Sequence, residues 1–439
     1  MYIQAKDGSF ILNGNQILFR GFAIGSWMNI ENFMVRIPGT EKSIRNIFAK
    51  VYGEENASQF FDDFLTYFIA EEDFEFLKEL GVNMLRIPLN YRHFIDDQNP
   101  STYSEDAFTH LNRVLNLCKK YEIYAVLDMH STPGGQNPDF HSGSDTGVAL
   151  FWEYGALRQV IIDLWVYIAE RYVDETIIAG FDLVNEPSFV ASKTAFNDFY
   201  ESLISNIRQV NKKHILFLEG DNWARDFSIF NKLEGEQIAL SFHFYPGQHV
   251  SLFGESEKRK LDLEKKILVY TSLREKTGMP LWVGETGGLF PKNKLDDGIK
   301  LIKEGIDLFE KHRISWSLWT YKDARTMSLV YPKVDTTWMK MGYEFREKWQ
   351  LKENRNATIA KDIFSLIENK LSYTIDKGVK RALFFRIFSL LDELHTNYLL
   401  EPRLASTPWE EIKDYPQSFL WENCEYWTEL AYLVRSYSS

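Results

Sequence analysis

The feature that most constrains the fold of this chain is a repeat of eight short apolar segments between residues 17 and 319. Most of the intervals between them have helical periodicity, as in the stretch 295–313 before the eighth segment. This alternation predicts βα units, and eight units in about 320 residues favour a closed (β/α)8 TIM barrel over an open doubly wound sheet. The segments are ILFRGFAI (17–24), VNMLRI (82–87), IYAVLDM (123–129), IIAGFDLV (177–184), HILFLE (214–219), IALSFHF (238–244), PLWVGE (280–285) and ISWSLW (314–319).

The predicted strands are continuous apolar runs and do not alternate between apolar and polar residues. Such runs are typical of parallel strands that helices cover on one side and a core fills on the other. No glycine-rich phosphate-binding loop follows the first segment. The sequence therefore predicts an α/β barrel and argues against a dinucleotide-binding or nucleotide-dependent enzyme.

After about residue 345 the pattern changes to helical stretches and then to an aromatic-rich tail with Trp409, Trp421 and Trp427. No Pro/Ser/Thr-rich linker separates this region from the barrel segments, so a tethered module is not expected. We predict that residues 1–344 form the catalytic barrel, with a long first βα loop. Residues 345–439 are then expected to supply the last barrel helix and a helical extension packed on the barrel.

Charge and composition exclude several partners. The net charge is −12 and the basic residues are scattered, which argues against nucleic-acid binding. No run of about 18 apolar residues occurs, so we expect no membrane span. The start of the chain lacks a signal-peptide pattern, so we expect a cytoplasmic protein, or a secreted one whose leader has been removed. The sequence leaves the oligomeric state open.

Polar or aromatic residues stand where six of the eight apolar segments stop. Active sites of (β/α)8 barrels are built at the carboxyl ends of the strands, so these side chains are expected to meet at one mouth. They are Arg86 at the end of the second segment, His130 after the third, Asn185 and Glu186 after the fourth, His243 and Tyr245 at the end of the sixth, Glu285 at the end of the seventh and Trp319 at the end of the eighth.

Glu186 and Glu285 are the candidate catalytic pair. Cleaving a glycosidic bond needs a proton for the leaving oxygen and a carboxylate for the oxocarbenium-like centre. We predict Glu186 as acid/base and Glu285 as nucleophile, with carboxyl groups about 5–5.5 Å apart, the separation of retaining enzymes. The expected partner is an oligo- or polysaccharide substrate.

The other strand-end residues have supporting roles in this hypothesis. Asn185 can bond the sugar hydroxyl next to the reacting carbon, and Arg86 can keep the Glu285 carboxylate ionised. Tyr245 can orient the same carboxylate through its hydroxyl.

Two histidines and one tryptophan complete the candidate site. His130 and His243 can contact substrate hydroxyls or position the acid/base residue, and Trp319 offers a flat face to a pyranose ring. The polar, glycine-rich loop 130–147 is expected to shape the cleft. Its spacing of histidine and aspartate matches no strong metal motif, so neither a metal ion nor a cofactor is expected.

Six short motifs give the chain a resemblance to glycoside hydrolase family 5. They are LRIP, the strand-end histidine, NEP, HFY, WVGET and the final SLW, and the likeness that rests on them spans the chain from about Ile17 to Trp319. This resemblance implies a (β/α)8 barrel, a retaining double displacement through a glycosyl-enzyme, and no cofactor.

Within that family the chain is most similar to exo-β-1,3-glucanases, through RGFAIGSWMNIENF, FLTYFIAEEDFEFLKELGVNMLRIPLNY and STPGGQN. The resemblance places Glu31 where those enzymes bind the terminal sugar, which implies a pocket closed beyond the cleavage point. It predicts an exo-acting β-glucan hydrolase or β-glucosidase. The sequence departs from that subgroup after STPGGQN, from Pro246 to Lys266, and in the helical tail.

Three other functions stay open at this stage. One is an endo-β-1,4-glucanase, and another is a β-glycosidase that acts on glycolipids or short glycans. The third belongs to a different class, a catalytically silent carbohydrate-binding barrel, because a fold alone does not establish activity.

Overall fold

The computed structural model describes residues 1–252, 255–290, 292–349, 355–372 and 374–437. Eight parallel strands close into a barrel and follow one another in chain order, as the sequence predicted. Each predicted segment overlaps one of these strands. They are β1 (Arg20–Ala23), β2 (Met84–Asn90), β3 (Tyr124–Ser131), β4 (Ile178–Asp182), β5 (Ile215–Glu219), β6 (Ile238–His243), β7 (Leu281–Gly287) and β8 (Ser315–Trp319).

Helices cover the outside of the barrel, and their sequences favour them locally. The helix Leu295–Lys311, for example, has two aspartates in its first turn and a lysine in its last, which suits the helix dipole. The helices between strands are Asn32–Val35, Glu41–Tyr52, Glu54–Phe68 and Glu71–Glu79 after β1, Glu105–Tyr121 after β2, Leu150–Glu153 and Gly155–Arg171 after β3, Lys193–Val210 after β4, Ser256–Thr277 after β6 and Leu295–Lys311 after β7.

Both ends of the chain contribute to the barrel. Three short antiparallel strands, Gln4–Lys6, Ser9–Leu12 and Asn15–Ile17, precede β1. Phe10 in the second of these strands and Ile3 just before the first pack into one buried cluster with residues from the starts of the barrel strands. The amino end of the barrel is therefore filled with apolar side chains, which leaves the carboxyl ends of the strands for polar groups.

The ring of helices is completed near the end of the chain. The helix Thr428–Arg435 packs in the main core. Arg435 lies 3.9 Å from Glu79 of the helix that follows β1. Just beyond it, Tyr437 donates a 2.6 Å hydrogen bond to Asp307 of the helix that follows β7. The last helix thus occupies the eighth position, between the seventh helix and the first.

The segment between β8 and that last helix is the extension. Its helices are Thr337–Trp349, Arg355–Leu371, Lys377–His395, Glu401–Ala405 and Trp409–Ile412, with a π-helical turn at Thr396–Leu400. The helix Thr337–Trp349 runs through residue 345, and the domain division placed after residue 344 stays a prediction. Residues 350–354 of the predicted extension, with 373, 438 and 439, lie outside the described part of the chain.

Two modes of packing hold the extension. Leu404, Ile412 and Phe419 belong to the main core of the barrel, and a strand Cys424–Tyr426 pairs with Val330–Pro332 just after β8. The two long helices Arg355–Leu371 and Lys377–His395 instead pack on each other around a small cluster of their own. Within the described residues, no helix has both the length and the apolar character that crossing a bilayer requires.

Candidate active site

Glu285 lies at the carboxyl half of β7, and both of its carboxylate oxygens accept hydrogen bonds. Arg86 donates to Oε1 at 2.6 Å and the Tyr245 hydroxyl donates to Oε2 at 2.7 Å. The side chain is nearly buried, since only 5% of it is exposed. Its two oxygens are therefore fixed by groups from two other strand ends, β2 and β6.

Arg86 is fully buried and organises the bottom of the site. Besides Glu285, it contacts Asn185 Oδ1 at 2.7 Å and the carboxylates of Asp182 and Glu219 at 3.2 and 3.3 Å. Burial alone would lower the pKa of Arg86, but the surrounding carboxylates raise it well above its usual range. The guanidinium stays charged and balances part of the negative charge of the mouth.

Glu186 follows β4 and has a left-handed backbone, with φ of 49°. That conformation is strained for a residue with a side chain, and two hydrogen bonds hold it. Glu219 accepts from the Glu186 backbone N–H at 2.6 Å, and Asn137 donates to the Glu186 carbonyl at 3.0 Å. The conformation turns the Glu186 side chain toward the mouth, where its carboxylate contacts two histidines.

Those two histidines, His243 and His141, lie 2.8 and 3.2 Å from the two oxygens of the Glu186 carboxylate. Burial disfavours the charged carboxylate, but the hydrogen bonds from the imidazoles lower the pKa of Glu186 well below its usual range. Burial would lower the pKa of each histidine, yet nearby carboxylates raise the pKa of His141 to about 10 and that of His243 well above its usual range.

The two glutamates face each other across the mouth. One carboxylate oxygen of Glu186, one of Glu285 and a ring nitrogen of His243 all lie within 4.8 Å of one another. This close approach fits the separation of about 5–5.5 Å between the carboxyl groups of retaining glycosidases. Burial and the neighbouring Glu285 raise the pKa of the Tyr245 hydroxyl well above its usual range, so it stays a hydrogen-bond donor.

We name Glu31, His130 and Trp319 the inner wall of the site. His130 stacks on Trp319, with ring centroids 5.1 Å apart and planes 6° apart, and its Nε2 lies 3.5 Å from Glu31 Oε1. Burial raises the pKa of Glu31. Its Oε1 is buried and makes no hydrogen bond within the described part of the chain, so this carboxylate keeps an acceptor for a ligand.

The remaining predicted residue, Asn185, joins the inner wall to the glutamates. Its Oδ1 accepts from Arg86, and its Nδ2 lies 3.4 Å from His130 Nε2. His130 in turn is bonded through Nδ1 to Asp128 at 2.7 Å. Burial opposes the charged ring, but Asp128 and Glu31 raise the pKa of His130 to about 9. The structure therefore brings all nine sequence-predicted residues to one end of the barrel.

The sequence reading missed several members of this cluster. Glu219 ends β5 as the other candidates end their strands, and that same positional signal would have found it. Asp128 and Asp182 lie inside apolar runs, where a carboxylate needs a buried cation, and Arg86 is that cation. His141 comes from the loop 130–147, which the sequence linked to the cleft without assigning this residue a role.

A cleft of about 400 Å³ opens at Glu186 and Tyr245. We name Trp223, Arg225, Arg381 and Phe385 its outer wall. Trp223 and Arg225 follow β5, whereas Arg381 and Phe385 belong to the extension helix Lys377–His395. No residue of the outer wall was among the sequence candidates, because nothing in the sequence shows where the extension docks.

Among the described residues, one group of side chains has a spacing that could hold a metal ion, and its polar atoms are already engaged in hydrogen bonds. That group is Glu186, His243 and Glu285. Both oxygens of Glu285 already accept from Arg86 and Tyr245, and His243 Nδ1 faces Glu186. The expectation of a site without metal or cofactor stays a prediction.

Comparison with known families gives a match over the barrel. The model of the family described as Cellulase (glycosyl hydrolase family 5) matches residues 48–325. This range contains β2 to β8 and both glutamates.

Curated proteins of similar sequence have glycosidase names. A beta-xylosidase of Phanerodontia chrysosporium is 33% identical, over 94% of this chain and 93% of its own length. Endoglucanase C of Acetivibrio thermocellus is 28% identical over 58% of this chain and 84% of its own. Glucan 1,3-beta-glucosidase 2 of Wickerhamomyces anomalus is 23% identical over 72% of this chain and 86% of its own.

Solved structures with a similar fold include Thermotoga maritima Cel5A, determined in complex with mannotriose. It has a TM-score of 0.54 and 20% identity, covering 75% of this chain and 97% of that one. The cellulose synthase subunit Z of Clostridioides difficile has a TM-score of 0.51 and 20% identity, covering 62% and 90%. At this identity the likeness concerns the fold.

Proposed function

The chain belongs to glycosyl hydrolase family 5, and on that premise we propose that it is a retaining, exo-acting β-glycosidase that releases one sugar from a non-reducing end. The observation that carries this proposal is the pair Glu186 and Glu285, in which one carboxylate oxygen of each lies within 4.8 Å of the other. A close approach of the two carboxylates is what a double displacement needs, because the nucleophile itself bonds to the anomeric carbon and no water has to fit between them in the first step.

In the first step Glu285 acts as the nucleophile. Its carboxylate oxygen forms a bond to the anomeric carbon while the glycosidic carbon–oxygen bond breaks. Glu186 gives the leaving oxygen a proton, so the aglycone departs as a neutral alcohol. The imidazoles of His141 and His243 contact Glu186 and are the nearest proton store for that carboxyl group.

In the second step water displaces the Glu285 carboxylate from the sugar. Glu186 takes a proton from water, the water oxygen bonds to the anomeric carbon, and the bond to Glu285 breaks. Two inversions give net retention, and both carboxylates return to their starting state. These steps use side chains of this chain and water alone.

Supporting residues hold the nucleophile in its charged, oriented form. Arg86 and Tyr245 each donate to one oxygen of Glu285, which fixes the plane of the carboxylate. Asn185 lies between Arg86 and His130, in reach of a hydroxyl next to the reacting carbon. That interaction strengthens in the transition state, because the hydroxyl becomes more acidic there.

Exo action is supported by the inner wall. The buried Glu31 carboxylate keeps an acceptor oxygen beside His130, where a hydroxyl of a terminal sugar can donate to it. The cleft of about 400 Å³ is lined by the outer wall, Glu186 and Tyr245, whereas Glu31, His130 and Trp319 do not line it. We place the terminal sugar against the inner wall, with its chain end there and its leaving group extending into the cleft.

For the sugar itself, we propose β-glucosides of short β-glucans as the substrate class. The similar glucan 1,3-beta-glucosidase supports this choice. A specific observation also favours a second candidate, β-xylosides, because the relative that matches 94% of the chain is named a beta-xylosidase. The two sugars differ by one hydroxymethyl group.

A substrate panel with product analysis tests the proposal. It contains aryl β-glucoside, aryl β-xyloside, and laminari-, cello- and manno-oligosaccharides, and NMR follows the anomer of the first product. We expect single β-configured sugars to be released from chain ends. Early release of longer oligosaccharides would instead identify an endo enzyme, and an initial α-product would exclude retention.

One further outcome separates catalysis from binding. If the panel is bound but no member is hydrolysed, the chain is a carbohydrate-binding barrel and the catalytic proposal fails. Isothermal titration calorimetry on the same oligosaccharides detects that case. Glu285→Gln is the matched control, because it keeps the shape of the site while removing the nucleophile.

A further inference from the structure

The outer wall of the cleft is built in part by a helix outside the barrel repeat. Arg381 and Phe385 lie four residues apart on the helix Lys377–His395, so both side chains project from one face. That face lines the same cleft as Glu186 and Tyr245. The extension therefore reaches the reacting groups.

Three aromatic rings fix this helix to the barrel. Phe189, Trp223 and Phe385 contact one another, with ring centroids 5.7 to 6.1 Å apart. The guanidinium of Arg381 lies 4.8 Å from the ring centre of Trp223 and 5.2 Å from that of Phe189. Such aromatic and cation–π contacts hold side chains from the loops after β4 and β5 and from the extension in one cluster.

Close backbone contacts set the position of the same helix. A Cβ at Gly147 would lie 2.4 Å from the Phe385 carbonyl oxygen, so only glycine fits there. Ser389 donates a 2.6 Å hydrogen bond to the Asp145 carbonyl, and Asn32 donates to Asp392 at 3.3 Å. The helix is thus seated against the loop that also provides His141.

The chemistry of the outer wall matches a sugar ring. Trp223 and Phe385 are only partly buried, and partly exposed aromatic rings stack on the C–H face of a pyranose. Arg225 bonds the Asn222 carbonyl and the Gln248 side chain, and Arg381 lies over rings. Each guanidinium has five N–H groups, so both retain donors for sugar hydroxyls.

The position of the outer wall decides which sugar it contacts. The inner wall holds the sugar whose anomeric carbon reacts, and Glu186 protonates the oxygen on the far side of that carbon. We propose that Phe385 and Arg381, with Trp223, form the leaving-group subsite, which binds the sugar released in the first step. This inference rests on the proposed function and adds that the extension sets leaving-group specificity.

The subsite has a second consequence. After the first step the leaving group is replaced by water or by another sugar that attacks the glycosyl-enzyme. A sugar bound on Phe385 is placed for that attack, so the same residues favour transfer to sugar acceptors over hydrolysis.

The experiment compares two substrates that share a glycone and differ in the leaving group. The first is the disaccharide that the enzyme hydrolyses best, and the second is the matching β-glycosyl fluoride, whose fluoride ion cannot contact the outer wall. The variants are Phe385→Ala and Arg381→Met, and the second keeps the aliphatic packing. Matched controls on the same helix are Leu390→Ala and Arg386→Ala, two exposed positions.

We expect kcat/KM for the disaccharide to fall about tenfold in Phe385→Ala, the size of one lost stacking contact. The value for the fluoride should stay within about twofold, as should both values in the controls. The ratio of transfer to hydrolysis with a disaccharide acceptor should fall as well.

Equal losses on both substrates in Phe385→Ala and Arg381→Met would overturn the subsite, since they would indicate a structural role. Unchanged disaccharide hydrolysis would overturn it too, while the proposed glycosidase function stands. If the wild-type protein hydrolyses neither substrate, the proposed function fails and the subsite fails with it.

Discussion

The inner and outer walls of the cleft are built in different ways. The inner wall consists of Glu31, His130 and Trp319, each at most 4% exposed, and two of them come from ends of barrel strands. The outer wall is partly exposed, and half of it comes from a helix more than 60 residues beyond β8, counted from Trp319 to Arg381. The walls also differ in support: His130 of the first bonds Asp128 and lies beside Glu31, whereas Phe385 and Arg381 of the second meet Trp223 through ring contacts.

This difference assigns the chemical steps to the strand ends and the choice of leaving group to the outer wall. Strand ends have positions that the barrel geometry sets, so they suit groups whose spacing the reaction requires. A docked helix can change without disturbing those groups. Changes near the inner wall should therefore affect every substrate alike, and changes at the outer wall should depend on the leaving group.

The largest expected effect is that of Glu285→Gln. Removing the nucleophile should reduce kcat by roughly 10⁴-fold or more on every substrate, because no glycosyl-enzyme can form. Steady-state rates on the disaccharide and on the glycosyl fluoride measure it, and circular dichroism checks the fold. A loss confined to one substrate would contradict the assignment of Glu285 as the nucleophile for all substrates.

Glu186→Ala should have the next largest effect and should depend on the leaving group. For a disaccharide, whose alcohol needs a proton, we expect a fall in kcat/KM of roughly 10²–10⁴-fold. For the glycosyl fluoride the fall should be far smaller, and added azide should restore turnover and give a β-glycosyl azide. Equal losses on both substrates would assign the proton donor to another residue.

Glu31→Gln tests the role of the inner wall in binding the glycone. Replacing a carboxylate that bonds a sugar hydroxyl should lower kcat/KM by about 10–100-fold, the size expected for a hydrogen bond to a charged group. The loss should be the same for the disaccharide and the fluoride, because both share the glycone. A loss on the disaccharide alone would move Glu31 to the leaving-group side.

Glu41 anchors the loop that holds Glu31 and gives a pH prediction. Its carboxylate accepts from the Ile30 backbone, Arg45 and Asn90, and it contacts His93 at 2.8 Å. Burial would raise the pKa of Glu41, but His93 and Arg45 lower it far below its ordinary value of 4.5. A carboxylate with a depressed pKa stabilises the fold above pH 4.5 and loses that contribution as the pH falls.

We therefore expect Glu41→Gln to cost roughly 1–3 kcal/mol of unfolding free energy at pH 7, and the difference from wild type to shrink below pH 4.5. Urea unfolding at pH 7 and pH 4 measures this difference. Glu54→Gln, at an exposed position, is the control and should change little at either pH. A difference that is the same at both pH values would exclude the carboxylate as its source.

The sequence predicted the parts of the molecule that barrel geometry determines. Apolar runs located all eight strands, and a polar residue at the end of a run located Glu285 and His243. Glu219 obeyed the same rule and was overlooked. Asp128 and Asp182 sit within runs, where only the buried Arg86 makes a carboxylate tolerable, and pairing across strands is not visible in one sequence.

The outer wall could not be predicted, for a physical reason. Phe385 has the same helical spacing as the neighbouring apolar residues, so the sequence alone does not distinguish a cleft residue from a core residue. Its place depends on how the helix docks, which the contacts of Gly147, Phe189 and Trp223 decide in the folded chain.

The most direct test of the account is covalent trapping of the nucleophile. The protein is incubated with an activated 2-deoxy-2-fluoro-β-glycoside of the preferred sugar, which slows the second step, and the labelled peptide is sequenced by mass spectrometry. We expect one glycosyl group per chain, attached to Glu285, and a free glycone with the β-configuration on slow release. A label on another residue would contradict the assignment of Glu285, and turnover to an α-product without any label would contradict the retaining mechanism.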